Sequence, residues 1–189
     1  GLGDVYKRQV WNGAIVLYGE MECLRDTLRS PLIPIGKKMP VSLTELQRGR
    51  IHNELQRIVT ALGVRFGEMN IEILLDKEDK VHFLELGPRA GGNMIPIQLS
   101  DIWGIDLVRA NVQAAMGETP EFIGTRLKAL PGCHMHYVLH SYEAGRFQNI
   151  DIDDSIRRFV YREVIYKKEG DTVEVFDGAG KALGILFLH

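Results

Sequence analysis

Residues 70 to 86 alternate polar and apolar with a period of two, which restricts this stretch to a pair of strands. Asn70 to Asp76 and Val81 to Leu86 are the two runs, joined by the charged loop Lys77-Glu78-Asp79-Lys80. Successive side chains on a strand point to opposite faces. A hairpin centred between Glu78 and Asp79 sets Asp76 opposite Val81, Leu74 opposite Phe83 and Glu72 opposite Glu85. One face then carries Ile71, Ile73, Leu75, Leu84 and Leu86, an apolar set broken only by His82. The other face carries Glu72 and Glu85, directly opposed.

Facing residues on antiparallel strands have Cβ atoms about 4.5–5.5 Å apart, and like charges there repel. A cation relieves that repulsion. Carboxylate oxygens are hard ligands of the kind magnesium takes, with phosphates completing its shell. The competing reading is two glutamates on a solvated face, which a one-residue register slip would separate. The residues that follow favour the first. In Glu85-Leu86-Gly87-Pro88-Arg89 the proline holds Gly87 extended and turns the backbone out of the sheet. Arg89 brings a planar, forked cation suited to phosphate or acyl phosphate just beyond the pair. Gly91-Gly92 allows backbone N–H groups to approach an anion closely. Glycine is also the compositional outlier, with 20 in 189 residues, about 11% against a usual ~7%.

The rest of the chain reads as alternating α and β elements. Asn12-Gly13 is a turn signal before a strand at Ala14 to Glu20. Residues 30 to 41 hold Pro31, Pro34, Pro40 and Gly36, the composition of an extended connector. Ser42-Leu43-Thr44-Glu45 has the spacing of a capping box. A helix follows on Leu43, Leu46, Leu55, Ile58, Val59 and Leu62, and stops at Gly63. A short helix is expected from Pro96 to Trp103, and another from an Asp106 N-cap to Met116. Beyond a linker at Met116 to Pro131 come strands at Cys133 to His140, Tyr161 to Lys167 and Thr172 to Phe176. Asp177-Gly178 reads as a hairpin turn into Ala182 to Leu188. The expected fold is α+β, an antiparallel sheet with packed helices over residues 10–120 and a small β-rich appendage over 131–189. Residues 1–9 fit no element and resemble a translated sequencing-adapter string, so they are expected to stand outside the fold, with the gene cut upstream.

Composition excludes several classes. Lys+Arg 23 against Asp+Glu 25 gives a net charge of −2, without the basic stripe of a nucleic-acid binder. The pairs Lys37-Lys38, Arg157-Arg158 and Lys167-Lys168 are scattered and read as solvated surface. The longest apolar run, Ala14 to Tyr18, is far short of the ~18 residues of a membrane span. No secretory pattern opens the chain, so a cytoplasmic location is expected, with neither nucleic-acid nor membrane partners. Cys23 and Cys133 form no CxxC pair, and Cys133 reads as a small buried hydrophobe. His134 and His136 share a strand face and read as a solvated face and not a metal site.

At residues 70–96 the chain resembles the ATP-grasp superfamily. That pattern is a strand glutamate, a hairpin, then E-x-N-x-R or a close variant followed by a glycine-containing loop. Here it is Asn70-Ile71-Glu72-Ile73, then Phe83-Leu-Glu-Leu-Gly-Pro-Arg-Ala-Gly-Gly-Asn-Met-Ile-Pro96. Gly104-Ile-Asp-Leu-Val108 and Ala115-Met-Gly117 are similar to the helix after the family's metal motif, so the likeness runs over about residues 10–120. Within the superfamily it is most similar to carboxylate–amine and peptide-type ligases. The resemblance implies ATP held between two α+β subdomains, with two magnesium ions, or manganese in their place, bridging its phosphates to protein. Glu72 and Glu85 would be the metal ligands. Arg89 would be catalytic, stabilising the transferred phosphoryl group, with Gly91, Gly92 and Asn93 completing the cofactor site. A carboxylate substrate would become an acyl phosphate, which an amine substrate then attacks.

Two departures stand out. The family's asparagine two residues after the second glutamate is Gly87 here, so that ligand passes to water, backbone or Asn93. The adenine-holding subdomain, the lid and the preceding substrate domain, upstream in the family, lie outside this sequence. The expected partner is that missing N-terminal part, without which the chain would be inactive. Two alternatives remain: a bicarbonate-activating enzyme similar to carbamoyl-phosphate synthase or biotin carboxylase, and a degenerate nucleotide-binding module without catalysis.

Overall fold

The computed structural model describes residues 3–189, with side chains from Gln9 onward. The chain divides into two compact units. The first runs to Glu22 and resumes over Pro40–Pro131; the second is Cys23–Met39 with Gly132–His189. Among the described residues, no helix is long and apolar enough to cross a membrane.

Strands β1 (Gly3–Trp11), β2 (Ala14–Asp26), β4 (Phe66–Leu75) and β5 (Val81–Gly87) build the first unit's antiparallel sheet in the order β5-β4-β1-β2. Between β2 and β4 in sequence come β3 (Ser30–Met39) and helix α1 (Glu45–Ala61). Helix α1 covers one face of the sheet. Its Ile51, Leu55 and Val59, one side of the helix, are buried with Val10, Met69, Ile71 and Ile73. Leu46 and Leu62, expected on that side, are exposed. The cap is two residues later than the sequence suggests: Thr44 and not Ser42 is the N-cap, in a box closed by Gln47.

Helices α2 (Ile95–Trp103) and α3 (Leu107–Ala115) also belong to this unit, with Asp106 capping α3 as expected. The Ser100 hydroxyl accepts from Leu107 N–H and donates to Pro96 C=O, which ties α2 to α3. Glu68 on β4 accepts from the Asn111 side chain on α3. Gly19 lies so near Leu99 that a Cβ there would sit 2.6 Å from the leucine methyl, so glycine permits the approach of α2.

The second unit carries β3, β6 (His134–Leu139), β10 (Gly184–Leu188) and β8 (Val160–Ile165) in the order β3-β6-β10-β8. A separate ribbon pairs β7 (Gly145–Arg146) with β9 (Thr172–Val173), and helix α4 covers Asp154–Arg157. Its core holds Leu139, Phe147, Val173, Leu183, Leu186 and Leu188.

Several expectations are corrected. From residue 3 onward the supposed tail is a central strand: Val5 pairs with Met21 and Glu72, and Tyr6 with Glu20 and Ile71. Its side-chain pattern has no apolar period, yet backbone pairing on both sides determines its state. Residues 1 and 2 lie outside the described residues. The expected connector at 30–41 is strand β3, which β6 pairs only over Gly36–Met39, beyond Pro31 and Pro34. That pairing groups residues 23–39 with the C-terminal unit, whereas the sequence reading placed them within 10–120. Asp177-Gly178 makes no hairpin: a 3₁₀ turn follows at Ala179–Lys181, and β9 pairs with β7. His134 and His136 are buried, not solvated, as is Lys37 opposite His136, while Cys133 is exposed.

Gln9 is buried on β1 opposite Glu68, and neither amide atom has a hydrogen-bond partner among the described residues. A buried, unpaired amide costs about 1–3 kcal/mol. Gln9→Leu, similar in volume, is expected to raise the melting temperature by about 2–4 °C per kcal/mol recovered. A lowered melting temperature would show that the amide is paired in solution.

Candidate functional site

The β4–β5 hairpin positions the site. Glu72 and Glu85 are Cα partners, flanked by the pairs Ile71–Leu86 and Asn70–Gly87. The register then shifts by one residue: Ile73 pairs with Phe83, Leu74 with His82 and Leu75 with Val81, so Leu84 is left over as a bulge. The expected pairs Leu74–Phe83 and Asp76–Val81 are therefore incorrect. The bulge also accounts for His82. It swaps the phase of β5, so Val81, Phe83 and Leu86 pack on the core while His82 and Leu84 turn outward.

Burial fixes this register. Ile71 and Ile73 are fully buried, each contributing about 1.5–3 kcal/mol by leaving water. A slip of one residue would expose both and drive the Glu72 carboxylate into the core under α1. Glu72, partly exposed, and Glu85, exposed, are thus held side by side on the face away from α1.

The turn end of the hairpin is anchored as well. The Asp76 carboxylate accepts from the N–H groups of Glu78 and Lys80, both at 2.9 Å, and pairs with His82 Nε2 at 2.7 Å. Gln47, besides closing the α1 capping box, donates to Asp79 Oδ1 at 2.7 Å, and Arg50 lies 3.6 Å from the same carboxylate. The His82 hydrogen bond, helped by the Lys80 N–H, holds the Asp76 carboxyl below its ordinary value.

At the open end, Arg89 N–H donates to Gly87 C=O at 2.8 Å, which turns the chain out of β5. Its guanidinium donates to Ala90 C=O and lies 3.6 Å from Glu85 Oε1. The guanidinium is more than half exposed, so this ion pair is weak and leaves the cation available to another anion. Gly91, Gly92 and Asn93 follow in the loop leading to α2, where Asn93 and Met94 both take left-handed backbone angles. No hydrogen bond joins the Asn93 side chain to either glutamate. The hairpin thus brings Glu72, Glu85 and Arg89 together, while Gly91, Gly92 and Asn93 form an adjoining loop. Among the described residues, no group of three or more His, Cys, Asp or Glu side chains could hold a metal. The two carboxylates are oxygen donors that fit a magnesium ion whose other ligands come from phosphates. The register also places Asn70 opposite Gly87 on the same face, a neighbour the spacing pointed to but the sequence reading gave no role.

Solved structures share this architecture. Phosphoribosylglycinamide synthetase from Anaerococcus prevotii superposes with a TM-score of 0.83 over 100% of this chain, at 16% identity. L-amino acid ligase from Bacillus licheniformis gives 0.82 over 100%, at 19% identity. The biotin carboxylase domain of Hydrogenobacter thermophilus 2-oxoglutarate carboxylase, solved with MgADP and bicarbonate, gives 0.73 over 99%, at 14% identity. The chain has the ATP-grasp fold. It corresponds to the fold's C-terminal part and spans 48%, 46% and 41% of those three chains. No protein-family model matches it. In sequence, 79 residues are 33% identical to an uncharacterized protein, y4rH, of Sinorhizobium fredii, covering 42% of this chain and 16% of that protein.

A depressed carboxyl contributes stability that is present above its unfolded pKa, about 3.9, and is lost as pH falls through the folded value. Unfolding free energy is therefore expected to decline more steeply below about pH 4 in the parent than in Asp76→Asn. Denaturant titrations at pH 3 to 7 check this, and identical slopes for the two proteins would remove Asp76 from the anchor.

Proposed function

We propose that the chain is the phosphate-side half of an ATP- and magnesium-dependent ligase that joins a carboxylate to an amine. The observation that carries this reading is the enforced pairing of Glu72 with Glu85 beside Arg89. Facing carboxylates gather hard oxygen donors on one face of the hairpin, and core burial on the opposite face keeps the strands from separating them.

Glu72 and Glu85 hold magnesium, with manganese able to replace it. Bound MgATP supplies a phosphoryl group whose charge the metal offsets. Arg89 orients and neutralises the oxygens of that group as it passes to the substrate carboxylate; the amine then displaces phosphate from the acyl phosphate. The backbone N–H groups of Gly91 and Gly92, with Asn93, line the approach to the phosphates. The chemistry is positioning and charge neutralisation, with little covalent work for the protein. The likeness of the fold to carboxylate–amine ligases supports this choice. Residues outside this chain clamp the base and exclude water.

Glu85→Gln in the complete enzyme keeps shape and removes charge. It is expected to lower turnover at saturating magnesium by about 10²–10³-fold, more than Glu72→Gln does, because Glu85 neighbours both Arg89 and the ligand-poor Gly87 position. The melting temperature should hold or rise, since a repulsion is relieved. Near-parental turnover would remove Glu85 from the metal site. The purified 189-residue chain alone is expected to release no ADP from MgATP; measurable magnesium-dependent release would contradict the need for residues outside it.

A further inference from the structure

Gln9 on β1 pairs with Leu17 on β2 and Glu68 on β4, and their side chains share the sheet face that α2 and α3 cover. Between that face and Leu99, Trp103 and Leu107 of the helices lies a void of about 10 Å³, room for one group the size of a water molecule. Gln9, only 3% exposed, lines it, and neither atom of its carboxamide has a hydrogen-bond partner among the described residues. Trp103 lines it too, and its indole N–H is likewise buried and unpaired. Leu17 and Trp103 are also walls of a larger cavity of about 250 Å³, lined further by Tyr18, Phe122, Ile123 and Leu127. Val16 and Tyr18 at its rim are exposed, so it is reached from solvent. All of these residues belong to the first unit.

We propose that these adjoining cavities bind a small neutral aromatic alcohol, its ring in the larger space and its hydroxyl in the narrow void. A hydroxyl carries one donor and two acceptor lone pairs. It can donate to the Gln9 carbonyl and accept from the Trp103 indole N–H, which is a donor only. A methyl group in that void leaves both unpaired, and a carboxylate has no proton to give Gln9. Glu68, on the same wall, accepts from the Asn111 side chain, and its negative charge opposes an anion further. Apolar walls supply the attraction and the two polar groups fix the orientation. The unpaired Gln9 amide destabilises the empty protein, and binding relieves it. Glu68 is four residues along β4 from Glu72, about 13 Å, and the proposal does not depend on the metal reading.

The test titrates phenol into the 189-residue chain and follows the indole N–H signals of its two tryptophans by nuclear magnetic resonance, with Trp103→Phe identifying each. Phenol is expected to shift the Trp103 signal saturably and to leave that of Trp11, packed on Phe66, unmoved. Toluene, the same shape without the hydroxyl, is expected to bind about tenfold more weakly, and benzoate not at all. Gln9→Leu should keep toluene binding and abolish the preference for phenol, whereas a merely structural change would weaken both ligands alike. Should Gln9→Leu fail to fold, Trp103→Phe carries the measurement by titration calorimetry, with the same preference reduced. If phenol binds no tighter than toluene, or its preference survives both substitutions, the hydroxyl assignment is overturned. Benzoate binding as tightly as phenol would overturn the neutral class, and a parent chain that binds none of the three has no such site.

Discussion

Everything at the candidate site depends on one register, that of β4 against β5. Ile71 and Ile73 are driven under α1 by the hydrophobic effect, and alternation then leaves Glu72 no choice of face. Pairing places Glu85 beside it, and Pro88 with the Gly87–Arg89 turn puts a guanidinium at the open end of the pair. Two carboxylates are thus held side by side by burial energy gained on the opposite face.

The two ends of the hairpin serve different purposes. The turn end is rich in local bonds: Asp76 satisfies two backbone donors and His82, and Gln47 with Arg50 ties Asp79 to α1. The open end is sparsely bonded, with an exposed arginine, an exposed glutamate and an unbonded Asn70 carboxamide. The bulge at Leu84 separates the two ends and lets β5 satisfy the core near the turn while keeping Glu85 in phase with Glu72.

Much of this was legible in the sequence, for identifiable reasons. The shared face of Glu72 and Glu85 followed from period-two alternation, their direct pairing holds because the bulge offsets a turn register one residue away from the expected one, and Asp106 as a cap followed from its spacing before Gly117. The bulge was not legible, although His82 on an otherwise apolar face was its trace. Strand β1 was misread because its side chains show no period, its state being set by backbone bonds to two neighbours. Strand β3 was hidden by Pro31 and Pro34, which its pairing with β6 does not reach. Burial of His134 and His136 depends on strands distant in sequence, which local composition does not reveal.

The central claim is that Glu72 and Glu85 together hold a divalent cation. Anomalous diffraction from crystals of the complete enzyme grown with manganese and ADP locates such an ion directly. The account predicts a manganese peak between the two carboxylates, on the side of Arg89 and away from α1. A peak elsewhere, or full occupancy of ADP with no metal at the glutamate pair, would contradict it.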